Sequence, residues 1–237
     1  MSQYPQVKFI IDYKKDIKNA LNFLSWHKND PYYLEKFFPK HLHYILDKKF
    51  TQKEKAKILR AYTQKYFTDN KKEFTANLKK IKKSWQKIAP RYFKLMDKIF
   101  KDHKWPQGDY SAVASIYNMF PRHIEEKIFF FPIDRPHPEF VNKVIAHEMT
   151  HFIYFDYLKK HYNLTEDSKI KNKPDNYVWL VSEIFNHIIE NWQPYNKILK
   201  NEKKRQPYFG NKKLIKKMQH NWQKKQDIDW LLDKWLK

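Results

Sequence analysis

The residues best suited to chemistry lie in one short run, His147-Glu148-Met149-Thr150-His151, inside the otherwise apolar stretch from Val141 to Leu158. On a helix, residues four apart share a face, so His147 and His151 point the same way, one turn apart. Two imidazole nitrogens so placed can take adjacent corners of a tetrahedral Zn²⁺ site. Glu148 lies one position round, near such an ion but aimed past it. From there it can hold and deprotonate a water whose pKa the ion has lowered toward about 7. With eleven His and eleven Glu in the chain, the pattern HExxH arises by chance in about 2% of such sequences. The competing reading is three polar residues satisfied by hydrogen bonds in a core. Against it stands the flanking run of Val144, Ile145, Ala146, Phe152, Ile153 and Phe155, which makes the helix apolar nearly all round and therefore buried. A buried ionised glutamate costs several kcal/mol unless something compensates it, and a divalent cation does so.

The elements that must position these residues follow from periodicity and punctuation. Val7–Tyr13 reads as a strand, and Lys14–Ser25 as a helix with Ile17, Ala20, Leu21 and Leu24 on one face. Thr51 followed by Glu54 marks a capping box opening the next long helix. Residues 69–100 predict a long amphipathic helix kinked at Pro90. Pro106 and Gly108 mark a loop. Residues 111–120 and 127–133 then read as two extended segments, paired as a hairpin across "PRHIEE". Pro136 and Pro138 form a rigid connection into the helix at 139–160. A further helix starts after Pro174 and Asp175 and ends at Pro194, and residues 195–237 read as helical, with Trp192, Trp222, Trp230 and Trp235 as anchors.

"VIAHEMTHF" resembles the active-site helix of the zincin metallopeptidases. The order "SAVASIYNMF", "KIFFFPI", "KVIAHEMTH" is also similar to theirs, over roughly Ser111–Asn191. The resemblance implies an edge strand that pairs with an extended peptide, placing Ala114, Ser115, Ile116 and Tyr117 as substrate-binding residues. Metzincins continue with a glycine and a third histidine, but Tyr154 and Tyr157 occupy those positions. Gluzincins instead take a glutamate from a downstream helix, and "VSEIFNH" offers Glu183 there, 32 residues after His151. The departure is His187, standing where those enzymes place an aspartate that orients a ligand histidine. Glu190 and His187 remain alternative third ligands, and His161 would suit an all-histidine site or serve as a solvated helix cap. Ser182, Glu183, Asn186, His187 and Glu190 form one polar stripe, and a stripe facing water would look the same. His187, Tyr154 and Tyr157 are candidates for stabilising an oxyanion, with His187 preferred.

The expected fold is α+β: mostly helical and zincin-like, with a small mixed sheet, an active-site helix and a glutamate helix. The expected chemistry is peptide-bond hydrolysis with one Zn²⁺ per chain on His147, His151 and Glu183, and Glu148 as general base. A metal hydrolase for a non-peptide bond is a further possibility.

Bulk properties narrow the rest. Two glycines in 237 residues exclude glycine-rich phosphate loops and dinucleotide turns. The absence of cysteine leaves any metal to His, Asp and Glu. No run is long enough to predict a membrane span, no signal-peptide core opens the chain, and a cytoplasmic protein is the expectation. Of the net charge of +22, residues 1–104 contribute 26 basic and 10 acidic groups, 105–192 contribute 9 and 12, and 193–237 contribute 13 and 4. This suggests a basic helical N-terminal region, a zincin-like core and a basic helical tail, packed as one domain. The alternative function is a non-catalytic module whose lysine-rich helices, "NLKKIKKSW" and "NKKLIKKMQ", bind nucleic acid or an anionic surface. Arginine is scarce there, which fits diffuse attraction or plain solvation better than specific reading. Sequence assigns no oligomeric state.

Overall fold

A computed structural model describes residues 4–27, 30–135, 137–200 and 212–237. In chain order the elements are β1 (Val7–Ile10), α1 (Tyr13–Trp26), α2 (Pro31–Leu34), a 3₁₀ helix (Lys40–Leu46), α3 (Gln52–Asp69) and α4 (Lys71–Ile99). There follow β2 (Tyr110–Ser115), β3 (Arg122–His123), β4 (Ile128–Pro132), α5 (Pro138–Tyr162), α6 (Tyr177–Glu190), α7 (Gln193–Leu199), α8 (Lys212–Lys224) and α9 (Ile228–Leu236). The chain is mostly helical with one small mixed sheet of four strands among the described residues. No helix among them is long and apolar enough to cross a membrane. Two sequence expectations fall partly outside the described residues: Pro136 in the rigid connection, and 201–211 in the helical tail.

The chain forms two compact units. One comprises Gln6–Ser84 and Asp109–Ile145; the other comprises Met1–Pro5, Trp85–Gly108 and Ala146–Lys237. The divisions fall inside α4 and α5, after Pro5 and between Gly108 and Asp109.

The first unit holds the sheet, in the order β1-β2-β4-β3. Asp12 ends β1 early. Its carboxylate accepts hydrogen bonds from the amides of Lys14 and Lys15 at 3.0 and 3.2 Å and caps α1. Thr51 and Glu54 complete the capping box read from the sequence, each side chain taking the other's backbone N–H. β1 pairs parallel with β2, and β2 parallel with β4. The expected hairpin between β2 and β4 is therefore corrected. The antiparallel partner of β4 is the two-residue β3, reached through a turn in which Lys127 takes φ 52°. β2 and β4 are apolar on both faces, as strands inside a parallel sheet must be.

That topology also corrects the edge-strand reading of Ala114–Tyr117. β2 is an interior strand, with Ala114 and Ser115 in register with Phe131 and Pro132. Beyond it the backbone is already engaged. The Ile116 amide donates to Asp16 Oδ2 at 3.0 Å, the Tyr117 amide to Ser115 Oγ at 3.1 Å, and the Ser115 carbonyl accepts from Ile133 at 3.0 Å. All four residues are buried.

In the second unit, the C-terminal half of α4 and most of α5 meet α6 to α9. α4 continues through Pro90, whose missing N–H leaves the Gln86 carbonyl without its helical donor. α6 packs on α7 and α8, and α8 on α9. Trp222 is a shared anchor, edge-on to both Phe185 and Trp192 at 6.0 and 5.7 Å. Trp222 and Trp235 are buried as expected, whereas Trp192 and Trp230 are half-buried. After α4 the chain reverses through two left-handed residues, Lys101 and Asp102, at φ 54° and 57°. Lys101 then pairs with Asp227 and Asp229, and the hydroxyls of Tyr157 and Tyr162 converge on Asp229.

Candidate metal centre

The site lies wholly within the second unit, on the facing sides of α5 and α6. The four-residue spacing brings the rings of His147 and His151 together, Nε2 to Nε2 at 3.2 Å. The rings are 4.9 Å apart and nearly perpendicular, at 78°. From α6, Glu183 reaches both. Its Oε2 is 3.4 Å from His147 Nε2, and its Oε1 is 3.3 Å from His151 Nε2. Zn–N bonds near 2.05 Å put the corners of a tetrahedral site about 3.3 Å apart. The Nε2–Nε2 separation matches one such edge, the two Glu183 oxygens each lie near one imidazole, and this is the one three-residue His/Asp/Glu group among the described residues able to hold a metal ion. Glu148 stands beside the group rather than in it, its Oε1 3.9 Å from His147 Nε2.

α5 is held from behind. Tyr92 on α4 donates to the Ala146 carbonyl at 3.0 Å and meets Thr150 Oγ at 2.9 Å. Thr150 itself donates to Ala146 O at 2.8 Å. Phe155 lies parallel to the His151 ring, 5.9 Å away. With α5 so fixed, the face carrying the histidines is turned to α6.

Two groups orient the histidines. Glu190 Oε1 is 2.8 Å from His147 Nδ1, the nitrogen pointing away from Glu183. Asn186 Nδ2 donates to the His147 carbonyl at 3.1 Å and lies 3.0 Å from His151 Nε2. An ion held by that nitrogen would take the place of the amide, which would retain its bond to the carbonyl. Asn186 has no role in the sequence reading. Its signal was its place, three residues after Glu183 and four before Glu190, on the same stripe of α6.

That stripe does not face water. Glu183, Asn186 and Glu190 are 7%, 2% and 4% exposed, and Ser182 is buried. His187 alone among them is half-buried, and its contacts run one turn along the helix to Asn191, whose amide nitrogen is 3.4 Å from the ring. The orienting carboxylate is thus Glu190, not a residue at the position of His187. Of the other oxyanion candidates, Tyr154 is buried against Phe185 and Tyr157 is turned to Asp229. His161 meets His103 instead of the centre.

The electrostatics are those of a site that could hold a cation. Glu148, Glu183 and Glu190 bring three buried carboxylates to two imidazoles. Burial alone would lower the pKa of His147, but the charges of Glu190 and Glu148 and the hydrogen bonds of Glu183 and Glu190 outweigh it and raise it to about 10. Burial likewise pushes Glu183 upward, and His151 and His147 pull it well below the ordinary carboxylate range. Without metal, imidazolium protons supply the positive charge the carboxylates require. A divalent ion fits the same donors, two neutral nitrogens and a carboxylate.

The chain matches no protein-family model, no curated protein and no solved structure. The reading therefore stands on the site's own geometry.

Proposed function

We propose that the protein is a zinc-dependent hydrolase acting on peptide bonds, with one Zn²⁺ held by His147, His151 and Glu183. The observation that carries it is the convergence of the two Nε2 atoms, 3.2 Å apart, with the Glu183 carboxylate, whose oxygens lie 3.4 and 3.3 Å from them, and with a second acidic residue, Glu148, beside the group. When bound, the ion acidifies a water and polarises the carbonyl under attack.

The chain's residues do the remainder. Glu190 accepts from His147 Nδ1 and so keeps Nε2 bare for coordination. Glu148, the acid next to His147 but outside the ligand triangle, takes the proton from the attacking water and delivers it to the leaving amine. The side chain of His147 keeps a fifth of its surface exposed, so the centre is reached from that side. Peptide as substrate is supported by the "HEMTH" pattern followed by a glutamate helix. The interior position of Ala114–Tyr117 removes them as the strand that would bind it.

Metal analysis of the purified chain tests the reading together with a peptide-library cleavage assay. Zinc is expected at this centre, and His147→Ala should hold one ion fewer than the native chain. Glu148→Gln should keep the zinc and lose about 10²-fold or more in turnover. A chain without zinc, or undiminished cleavage by Glu148→Gln, overturns it.

A further inference from the structure

A second pair of imidazoles faces each other at the far end of α5. His161, in its last turn, and His103, in the loop after α4, approach with Nε2 and Nδ1 3.3 Å apart. The separation is nearly that of the His147 and His151 nitrogens, and it again equals the roughly 3.3 Å edge of a tetrahedral zinc site. The other nitrogen of His103, Nε2, is 2.8 Å from Asp156 Oδ2. A carboxylate there accepts the Nε2 proton and leaves Nδ1 as a bare donor aimed at His161, the arrangement that buttresses metal-binding histidines. Burial lowers the His103 pKa, against the pull of Asp156, so the ring is neutral and able to ligate near neutral pH. Tyr157 packs against both rings, at 5.1 and 4.2 Å, and limits their rotation.

From this geometry we propose a second zinc site, with His103 Nδ1 and His161 Nε2 as its protein ligands, Asp156 as the positioning residue and water completing the tetrahedron. His103 has little exposed side chain, whereas His161 is exposed, so the ion enters from the His161 side. The surrounding charge does not forbid it. Lys160 is the nearest cation and is already bonded to Asp156 at 2.8 Å. Asp229 lies close enough to feel the charge of His161, and Lys101 is engaged with Asp227 and Asp229. Two ligands 58 positions apart in sequence make the bound ion a cross-link between the start of the 103–108 loop and the end of α5. Its role is that of a cross-link between two segments: two imidazoles with water in the remaining positions make an open site, unlike the closed four-ligand centre of a structural zinc.

The test is zinc titration of the full chain, followed by calorimetry and thermal unfolding, with the first centre silenced separately. The native chain is expected to take up two ions, and His161→Gln one. His147→Ala should keep the second site, and His147→Ala with His161→Gln should lose it. Asp156→Asn should weaken binding at the second site about 10- to 100-fold while leaving both ligands in place. Zinc should raise the unfolding temperature of His147→Ala but not of the double variant. Because His161 is exposed, His161→Gln removes a ligand without opening a cavity. Uptake by His161→Gln equal to the native chain overturns the second site, whatever the first one does. Loss of uptake only in His147→Ala does the same.

Discussion

Glu190 Oε1 and His147 Nδ1 stand 2.8 Å apart, two turns of α6 beyond Glu183, the residue that meets the opposite nitrogen of the same ring. The imidazole is thus gripped at both ends by carboxylates from one helix. Replacing Glu190 by Gln retains a hydrogen-bonding side chain but removes the charge that makes the ring basic. Zinc affinity, measured by competition with a chelator, should fall about 10- to 100-fold. The same substitution at His187 should leave it unchanged, because that ring meets Asn191.

Removing the metal should cost stability as well as turnover. An ion that binds only the folded chain stabilises it by an amount that grows as the logarithm of one plus its free concentration divided by its dissociation constant. Chelator should therefore lower the unfolding temperature of the native chain and of Glu148→Gln alike. It should have a smaller effect on His147→Ala, in which the main site is already lost. Equal shifts in all three would separate the stabilising ion from this centre.

Asp16 gives the pH dependence of stability. Its carboxyl is buried under the end of β2, and burial raises it to about 7, against partial relief from Ser115 and the Ile116 amide. The unfolded value is about 3.9. Between these two values the folded chain holds a proton that the unfolded chain has released, so stability falls as pH rises through that window and levels off above it. The loss amounts to several kcal/mol. Asp16→Asn can still accept from the Ile116 amide and should flatten the slope in urea-unfolding curves taken from pH 4 to 7. An unchanged slope would assign it to other groups.

Tyr92→Phe tests the support behind α5. It deletes one buried hydroxyl that donates to Ala146 O, while Thr150 continues to donate to that carbonyl. The expected cost is about 1–2 kcal/mol in denaturant unfolding. A small loosening of zinc binding should accompany it, since the helix that carries both histidines loses one of its anchors.

The parts of the site encoded by local spacing were legible in the sequence. His147 and His151 meet because any helix brings together residues four apart, and Thr51 caps α3 because Glu54 sits three residues on. Glu183 was legible as a candidate, but its stripe suited a wet surface equally well. Only the packing of α6 against α5 shows that the stripe is buried. The exchange of His187 for Glu190 has the same origin: positions four and seven after Glu183 both lie near its face, and the tilt between two helices selects one. The sheet was misread for a different reason. β3 has two residues, too few to show any alternation, so β4 was assigned the wrong antiparallel partner. The interior place of β2 depends on β1, about a hundred residues earlier in the chain.

The convergence of Tyr157, Tyr162 and Lys101 on Asp229 ties the end of α5 to a segment made much later in the chain. The far end of the histidine-bearing helix finds its partners only after some seventy further residues have been translated, and the glutamate helix packs on α8, which also comes late. A stretch of chain ending at His151 would lack both Glu183 and the lock on the helix end. The clamp on the helix that carries both histidines is therefore non-local, and forms only once that later stretch has been made.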